Sequence, residues 1–316
     1  MKKTKEKKIY PIDLKIILNK LENIKIPIKG LIAYLTLINN NYTTNFIHEG
    51  NIKINLPKIP LLKALFNKKK ILKKSFTFFL RPNAEPLLRK VIFNLYNQKY
   101  INPKKSIIDI GCWIGDNSLV WAKFLIDDAI VFAIDPSSEN ISFGKNLALK
   151  NNILNINWVK AVCADKVGIA LDFDGDLDHA EFKINDKSKK PIISNTLDQI
   201  TLDKIKSIGL MHIDVEGFEM KVLHGAIKII ENSKPVIVFE QMISKNDTTI
   251  IFEFLRQYKY DIYMINEVLP NCSLDCRNFI AFDSNKELPK IKNLNQMNGR
   301  KNGIFHASIG PELIKI

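Results

Sequence analysis

The chain has 316 residues, of which 46% are hydrophobic and 25% are charged, a composition typical of folded globular proteins and unlike disordered or collagen-like chains. The length allows two domains, or one α/β domain with a sizeable extension. No apolar run approaches the ~20 residues of a membrane span, since even Gly30 to Ile38 is followed at once by three asparagines.

The formal net charge of +14 would suit a nucleic acid or an anionic surface as partner. The excess is mostly lysine, however, in a sequence also rich in isoleucine and asparagine. Arginine, whose planar guanidinium group forms paired hydrogen bonds with phosphates and guanines, is not enriched, so we predict no nucleic-acid partner. The start of the chain is basic but lacks the apolar segment of a signal peptide, which favours a cytoplasmic protein.

Four cysteines in a chain of this length are too few for a disulfide framework, and we expect reduced thiols. Cys272 and Cys276 have an unusual spacing for zinc and no second cysteine pair accompanies them. We therefore predict no metal at this pair.

Residues 1–90 carry no chemical signature, and we interpret them as an accessory or lid region. The Ile and Leu spacing in 11–27 and 60–74 predicts amphipathic helices, and residues 51–57 alternate as a short strand does. A further helix is predicted over 84–98, where the main domain begins.

From Ser106 onward, short apolar strands alternate with helices, which predicts a doubly wound, mostly parallel α/β sheet of the Rossmann-like kind. The predicted strands of this sheet are 106–110, 129–135, 156–162, 208–214 and 234–240. Two later strands, 260–266 and 276–283, have no helix between them and predict an antiparallel hairpin at one edge. We assign 91–285 to this domain and 286–316 to a C-terminal tail.

In such sheets a ligand binds beyond the carboxyl ends of the strands, where the strand order reverses. The stretch "SIIDIGCWIGDNS" falls there: Gly111 permits a tight turn, and Gly115 lets the following helix pack closely. Amides at a helix start suit an anionic or zwitterionic group. Trp113 stands where a second glycine would admit a pyrophosphate, which disfavours NAD.

The next strand ends in Asp135, where an acid can accept hydrogen bonds from two ribose hydroxyls; a plain turn or cap residue is the alternative. After the third strand, Ala161 and Val162 are candidates to line an adenine slot, and Asp165 to accept from the exocyclic amine. An ordinary strand end followed by a turn explains these three equally well.

The stretch "LMHIDVEGFEMKVLHGA" places His212 and three acids, Asp214, Glu216 and Glu219, at a strand-to-helix junction on the ligand side. Acids near a helix start suit the helix dipole. Three acids around Gly217 exceed what capping requires, which indicates a reaction site.

Taken in order, these motifs resemble the FkbM family of S-adenosyl-L-methionine-dependent methyltransferases, from about Glu85 to Asp283. The motifs that carry the resemblance are "IIDIGCWIG", "AIDPSSEN", "AVCADKVG", "NTLDQI", "HIDVEGFEMKVLHGA" and "PVIVFE". "IDVEGFE" followed by "VLHGA" is the most specific of them. The family usually has Gly-Ala-Asn-x-Gly in the first loop, whereas this chain has Trp113 at the Asn position.

The resemblance implies a class I methyltransferase fold, S-adenosyl-L-methionine as cofactor, and O-methylation of a sugar, glycan or secondary metabolite. Matched by position, Asp109, Gly111 and Gly115 correspond to the site for the cofactor's amino-acid part, and Asp135 to the ribose ligand.

A sugar hydroxyl is weakly acidic, so its methylation benefits from a positioned proton acceptor. Asp214 is our first candidate and Glu216 the second. His212 is third, because a strand histidine is more often a core residue. Glu240, at the end of "VIVFE", is also predicted to face the ligand site. Carboxylate oxygens are suitable ligands for Mg²⁺, so a divalent metal bound between Asp214 and Glu240 remains an alternative.

Two other functions remain open. The charge favours a nucleic-acid methyltransferase, although the chain has no Asn/Asp-Pro-Pro-aromatic motif for amino-group methylation. The other is a module that binds the cofactor without catalysis and uses its N-terminal region for protein interaction.

Overall fold

The computed structural model describes residues 44–47, 52–55, 85–176, 179–184, 192–201, 207–243, 248–265, 276–289, 291, 299–301, 304–306 and 313–316. The helices predicted over 11–27 and 60–74 lie outside these residues. The strand predicted over 51–57 corresponds to β2 (Ile52–Asn55), which pairs antiparallel with β1 (Thr44–Ile47).

An eight-stranded sheet forms the centre of the described domain. From edge to edge its strands are β16 (Leu313–Lys315), β12 (Tyr260–Ile265), β13 (Cys276–Asp283), β11 (Val236–Met242), β10 (Ile208–Ile213), β3 (Ser106–Ile110), β4 (Val131–Asp135) and β5 (Ile156–Lys160). Strands β11, β10, β3, β4 and β5 are parallel neighbours. The order reverses between β3 and β10, as in the predicted doubly wound fold, so this is where a ligand is expected.

The last strands differ from the edge hairpin predicted for them. They do pair antiparallel, but β13 inserts between β11 and β12 and pairs with both. All eight residues of β13 are buried, as a strand with neighbours on both sides requires. The edge is instead formed by β16, from the segment assigned to the C-terminal tail.

The strand predicted over 156–162 is interrupted after Lys160. Val162–Cys163 forms β6, which pairs with β9 (Ile192–Asn195) in a second sheet of order β6-β9-β7-β8. Its other strands, β7 (Ala170–Asp176) and β8 (His179–Ile184), form an antiparallel pair in the segment between β6 and β9. Further along, β14 (Gly299–Lys301) and β15 (Ile304–His306) also pair antiparallel.

Helices cover both faces of the main sheet, because its strands alternate buried side chains between two cores. The described helices are α1 (Pro86–Asn97), α2 (Asp116–Ala122), α3 (Ser138–Lys150), α4 (Leu197–Thr201), α5 (Glu219–His224), α6 (Ile227–Ser233) and α7 (Thr248–Gln257). Val238 faces a core with α1 to α3, and its neighbour Phe239 faces one with α4 to α7. Within the described chain, no helix is long and apolar enough to cross a membrane.

Candidate active site

The loop after β3 lies directly against the loop after β10. Gly111 has φ of +75°, and a Cβ on it would lie 1.7 Å from the carbonyl oxygen of Asp214. The Asp214 amide in turn donates to the carbonyl of Ile110 at 2.9 Å. The first glycine therefore makes room for the chain's own backbone, and this contact fixes Asp214 where the strand order reverses.

The second glycine of the loop is required by packing against an aromatic ring. Gly115 has φ of +77°, and a Cβ there would lie 2.3 Å from the Trp158 ring of β5. A Cβ on Gly144 of α3 would lie equally close, at 2.3 Å from the same ring. The close helix packing predicted for Gly115 is thus explained by Trp158.

Asp109 is buried and bonded to two protein side chains. One carboxylate oxygen lies 2.8 Å from Nδ1 of His212, and the other accepts a hydrogen bond from the Ser118 hydroxyl. Burial lowers the pKa of His212, but the hydrogen bond and charge of Asp109, together with the charges of Glu85 and Asp214, raise it above its ordinary value. His212 is thus held in the core by Asp109.

Asp135 is buried, not solvent-facing as a strand-end acid would be. Its carboxylate accepts from the amides of Trp113 at 3.0 Å and Ser137 at 2.8 Å, and from the Asn140 side chain at 3.1 Å. Burial raises its pKa to about 6, although these donors act in the opposite direction. A carboxylate has about four acceptor positions, so capacity remains for a ribose hydroxyl.

Trp113, which stands where the FkbM family usually has asparagine, has a left-handed backbone with φ of +49°. Asparagine adopts this conformation readily, whereas a bulky residue is strained in it. The Trp113 side chain is buried in the core that also contains Leu88 and Leu119, which offsets the strain.

Of the three candidates for the adenine slot, Ala161 contacts Asp135 directly. The Ala161 amide donates to the Asp135 carbonyl at 3.3 Å, and Val162 is buried at the start of β6. Asp165 has one buried carboxylate oxygen, Oδ1, without a hydrogen-bond partner in the described part of the chain. The exocyclic amine of an adenine would supply the missing donor, so these residues fit an adenosine group.

The glycine of "VLHGA" is explained by the same loop. A Cβ on Gly225 would lie 2.2 Å from the carbonyl oxygen of Ala164. The turn that ends α5 and the segment after β6 are therefore packed together, which places "VLHGA" beside the loop that carries Asp165.

The three acids among the catalytic candidates of the sequence meet at the carboxyl ends of β10 and β11, whereas His212 lies in the core. Asp214, Glu216 and Glu240 each offer a carboxylate oxygen within 4.8 Å of the others, and we call this group the carboxylate triangle. Asp214 is half-buried, Glu216 is exposed, and Glu240 is buried with its Oε1 3.0 Å from Sγ of Cys276. The group can accept a proton, and its oxygens are of the type that binds a hard divalent cation.

Glu219 has a different position from the other acids. Its Oε1 accepts from the amides of Gly217 at 3.0 Å and Val215 at 3.3 Å, and its Oε2 accepts from Nε2 of Gln241 at 2.7 Å. The sequence drew attention to Glu219 as one of three acids but did not reveal these contacts.

A buried polar network that was not predicted from the sequence lies beside the loop from Gly111 to Gly115, which we call the glycine loop. Arg89 of α1 donates to Asp116 at 2.9 Å and to Asn117 at 2.8 Å. Glu85 accepts from Asn117 at 3.0 Å and from Asn278 of β13 at 2.8 Å. The available signal was Arg89 itself, a charged residue on the apolar face of a predicted helix.

With this geometry in place, residues 109–262, just under half of the chain, match the family described as Methyltransferase FkbM domain. The chain contains an FkbM methyltransferase domain. The match confirms the resemblance seen in the motifs, and S-adenosyl-L-methionine is the cofactor of the FkbM domain. No curated protein sequence matches the chain.

Several solved methyltransferase structures are similar to the chain that carries the FkbM domain. Methyltransferase FkbM from Methylobacillus flagellatus has 14% identity and a TM-score of 0.43, with 80% of this chain and 59% of that chain covered. A putative methyltransferase from Streptococcus mutans in complex with SAH has 10% identity and a TM-score of 0.40, with 61% and 96% covered. A putative rRNA-methylase from Clostridium thermocellum has 11% identity and a TM-score of 0.40, with 61% and 94% covered. The chain thus spans less than two thirds of the Methylobacillus protein, and such low identities transfer no substrate.

Proposed function

We propose that the FkbM domain belongs to a cytoplasmic enzyme that methylates a hydroxyl oxygen of a sugar, glycan or secondary metabolite. The observation that carries this proposal is the carboxylate triangle, whose member Asp214 is packed against the glycine loop through Gly111. A hydroxyl is a weak nucleophile until its proton is removed, so proton acceptors beside the methyl donor suit O-methylation.

The residues proposed to bind the cofactor divide between its two ends. Asp135 would accept from the ribose, while Ala161, Val162 and Asp165 would enclose the adenine. The buried Oδ1 of Asp165 supports this assignment, because a buried acceptor without a donor costs free energy that a bound amine would recover.

The methionine end would lie along the glycine loop, near Asp109, Gly111 and Gly115. The bound cofactor supplies a methyl group carried on positively charged sulfur. The amides of residues 111, 112, 113 and 115 already donate to acceptors within the protein, so the loop would enclose the methionine end without supplying these donors to its carboxylate.

Asp214 would accept the hydroxyl proton, and Glu216 and Glu240 would orient the acceptor by hydrogen bonds. A well-positioned general base contributes ~10²- to 10⁴-fold to the rate, and fixed orientation contributes further. Glu240 is suited to orienting the acceptor because it is buried and its carboxylate accepts a hydrogen bond from the Cys276 thiol.

The direct test uses S-adenosyl-L-methionine labelled in its methyl group, with sugars, glycans, phenols, RNA and DNA as acceptors. We expect label in a hydroxylated small molecule or glycan, in a product that resists mild alkali as an ether does and a methyl ester does not. Label in nucleic acid alone, or cofactor binding without transfer to any acceptor, would support one of the two alternatives and refute this proposal.

A chelator arm of the same assay tests the role of a divalent cation. Activity that is lost in EDTA and restored by Mg²⁺ would indicate a cation held by the carboxylate triangle. Activity unchanged in EDTA would assign proton removal to the carboxylates alone.

A further inference from the structure

We propose that Glu219 is the positioning residue that holds the carboxylate triangle in its working geometry. This inference rests on the proposed function, because it assigns Glu219 a part in the reaction of the same site. Glu219 is not itself a member of the triangle, and it acts through the backbone and side chains that carry the three acids.

On one side, Glu219 fixes the turn that carries Asp214 and Glu216. Its Oε1 accepts both turn amides, those of Val215 and Gly217. Within this turn Glu216 has φ of +51° and Gly217 has φ of +102°. A non-glycine residue keeps a left-handed backbone only where its surroundings hold it there, and the Glu219 carboxylate does so here.

On the other side, Glu219 is tied to the strand that carries Glu240. Its Oε2 accepts from Nε2 of Gln241 at 2.7 Å, and the same Nε2 lies 2.7 Å from the carbonyl oxygen of Glu240. One carboxylate therefore joins the turn after β10 to the end of β11, the two segments that contribute the carboxylate triangle.

In each of these three hydrogen bonds, Glu219 must be the acceptor. Two backbone amides and a side-chain amide nitrogen donate to Glu219, which is buried with a relative exposure of 3%. An ionised carboxylate accepts at both oxygens and satisfies all three, whereas a glutamine offers one accepting oxygen and one donating nitrogen. Helix capping alone would not need the bond to Gln241.

The test reverses the polarity of one bond. In Glu219→Gln the amide oxygen can still accept from the turn, but its nitrogen then faces Nε2 of Gln241, and two donors oppose each other. We expect turnover to fall by ~10- to 100-fold, the scale of a small misplacement of reacting groups. Cofactor affinity should stay within about twofold of the parent, because the proposed cofactor contacts are unchanged.

The double variant Glu219→Gln/Gln241→Glu restores the bond with donor and acceptor exchanged, and it keeps the net charge of the parent. Because Gln241→Glu also removes the donor to the carbonyl of Glu240, the matched comparison is with Gln241→Glu alone, and we expect the double variant to have the higher turnover of the two. Gln241→Glu alone sets two carboxylates against each other and should be impaired. Glu231→Gln, on the exposed surface of α6, is the matched control for loss of one negative charge.

Full turnover in Glu219→Gln, or a double variant no more active than Gln241→Glu alone, would overturn the proposal. If the parent methylates no hydroxyl, hydrogen exchange decides the positioning role separately from the proposed function. Glu219→Ala should then speed exchange of the Val215 and Gly217 amides, while Glu231→Ala should not. Unchanged protection of both amides would refute the anchoring itself.

Discussion

The carbonyl oxygen of Asp214 occupies the space that a side chain on residue 111 would need, 1.7 Å from the position of a Cβ on Gly111. This contact joins the two loops at the reversal of strand order, and the Asp214 amide bonded to Ile110 reinforces it. The first glycine of the motif thus sets the distance between the glycine loop and the carboxylate triangle.

Gly111→Ala should therefore disrupt both stability and methyl transfer. Gly168→Ala is the matched control, because Gly168 also has a left-handed φ, of +86°, but nothing lies within 4 Å of its Cβ position. The control should cost ~1 to 2 kcal/mol from backbone strain alone. Gly111→Ala should cost more in denaturant unfolding and reduce turnover by ~10²-fold or more. Equal losses in the two variants would show that the contact with Asp214 is not limiting.

Two ion pairs of similar length should differ in their contribution to stability because they differ in burial. Arg89 and Asp116 are 2.9 Å apart with side chains 1% and 2% exposed, whereas Lys104 and Asp127 are 3.0 Å apart and 64% and 58% exposed. Arg89→Met leaves Asp116 buried without this partner and should lower the free energy of unfolding by ~3 to 5 kcal/mol. Lys104→Met should lower it by less than ~1 kcal/mol. Similar losses in thermal unfolding would contradict this account.

Cofactor affinity should depend on pH through Asp135. Burial raises the pKa of Asp135 to about 6, so the carboxylate becomes protonated as the pH falls through that value. The protonated form loses acceptor capacity for a ribose hydroxyl, and affinity should therefore be about tenfold weaker near pH 5 than near pH 8 if only the anion binds well. In Asp135→Asn the dependence in this range should flatten. Calorimetry that gives the same pH profile for parent and variant would remove Asp135 from ribose binding.

Asp165→Ala should weaken cofactor binding without lowering the stability of the unliganded protein. Loss of a charge-assisted hydrogen bond to the adenine amine should weaken cofactor binding by ~1.5 to 3 kcal/mol. The unliganded protein should be no less stable, because the variant removes a buried oxygen, Oδ1, that has no donor within the described chain. Calorimetry and thermal unfolding measure the two effects. Lower stability with unchanged affinity would make Asp165 a structural turn residue.

Local patterns in the sequence were sufficient to predict the sheet and the glycine turn. The predicted strand ending at Ile110 and the tight turn predicted at Gly111 are found in the structure, because an apolar run followed by glycine is a local signal. The insertion of β13 between β11 and β12 was not predicted, since strand pairing depends on contacts distant in sequence.

The proximity of the three acids of the candidate site was predictable from the sequence, but most of its hydrogen bonds were not. Asp214, Glu216 and Glu240 were expected together because consecutive parallel strands end at one edge of the sheet. The Ser137 amide that donates to Asp135 is the turn contact that the sequence allowed, whereas the Trp113 amide on Asp135 and the Gln241 side chain on Glu219 were not predictable, because each joins residues 22 positions apart. Asp135 is buried although it ends a strand, because the amide of Trp113 in the loop after β3 donates to its carboxylate.

Asp214→Asn tests most directly whether Asp214 accepts the proton during methyl transfer to a hydroxyl, as we propose. Asparagine keeps the shape of the side chain and leaves the backbone contacts with Gly111 and Ile110 in place. Measured with saturating S-adenosyl-L-methionine and a hydroxylated acceptor, turnover should fall by ~10²-fold or more while cofactor affinity is unchanged. A variant that keeps full turnover would contradict the claim, and one that also loses cofactor binding would make Asp214 a wall of the cofactor pocket.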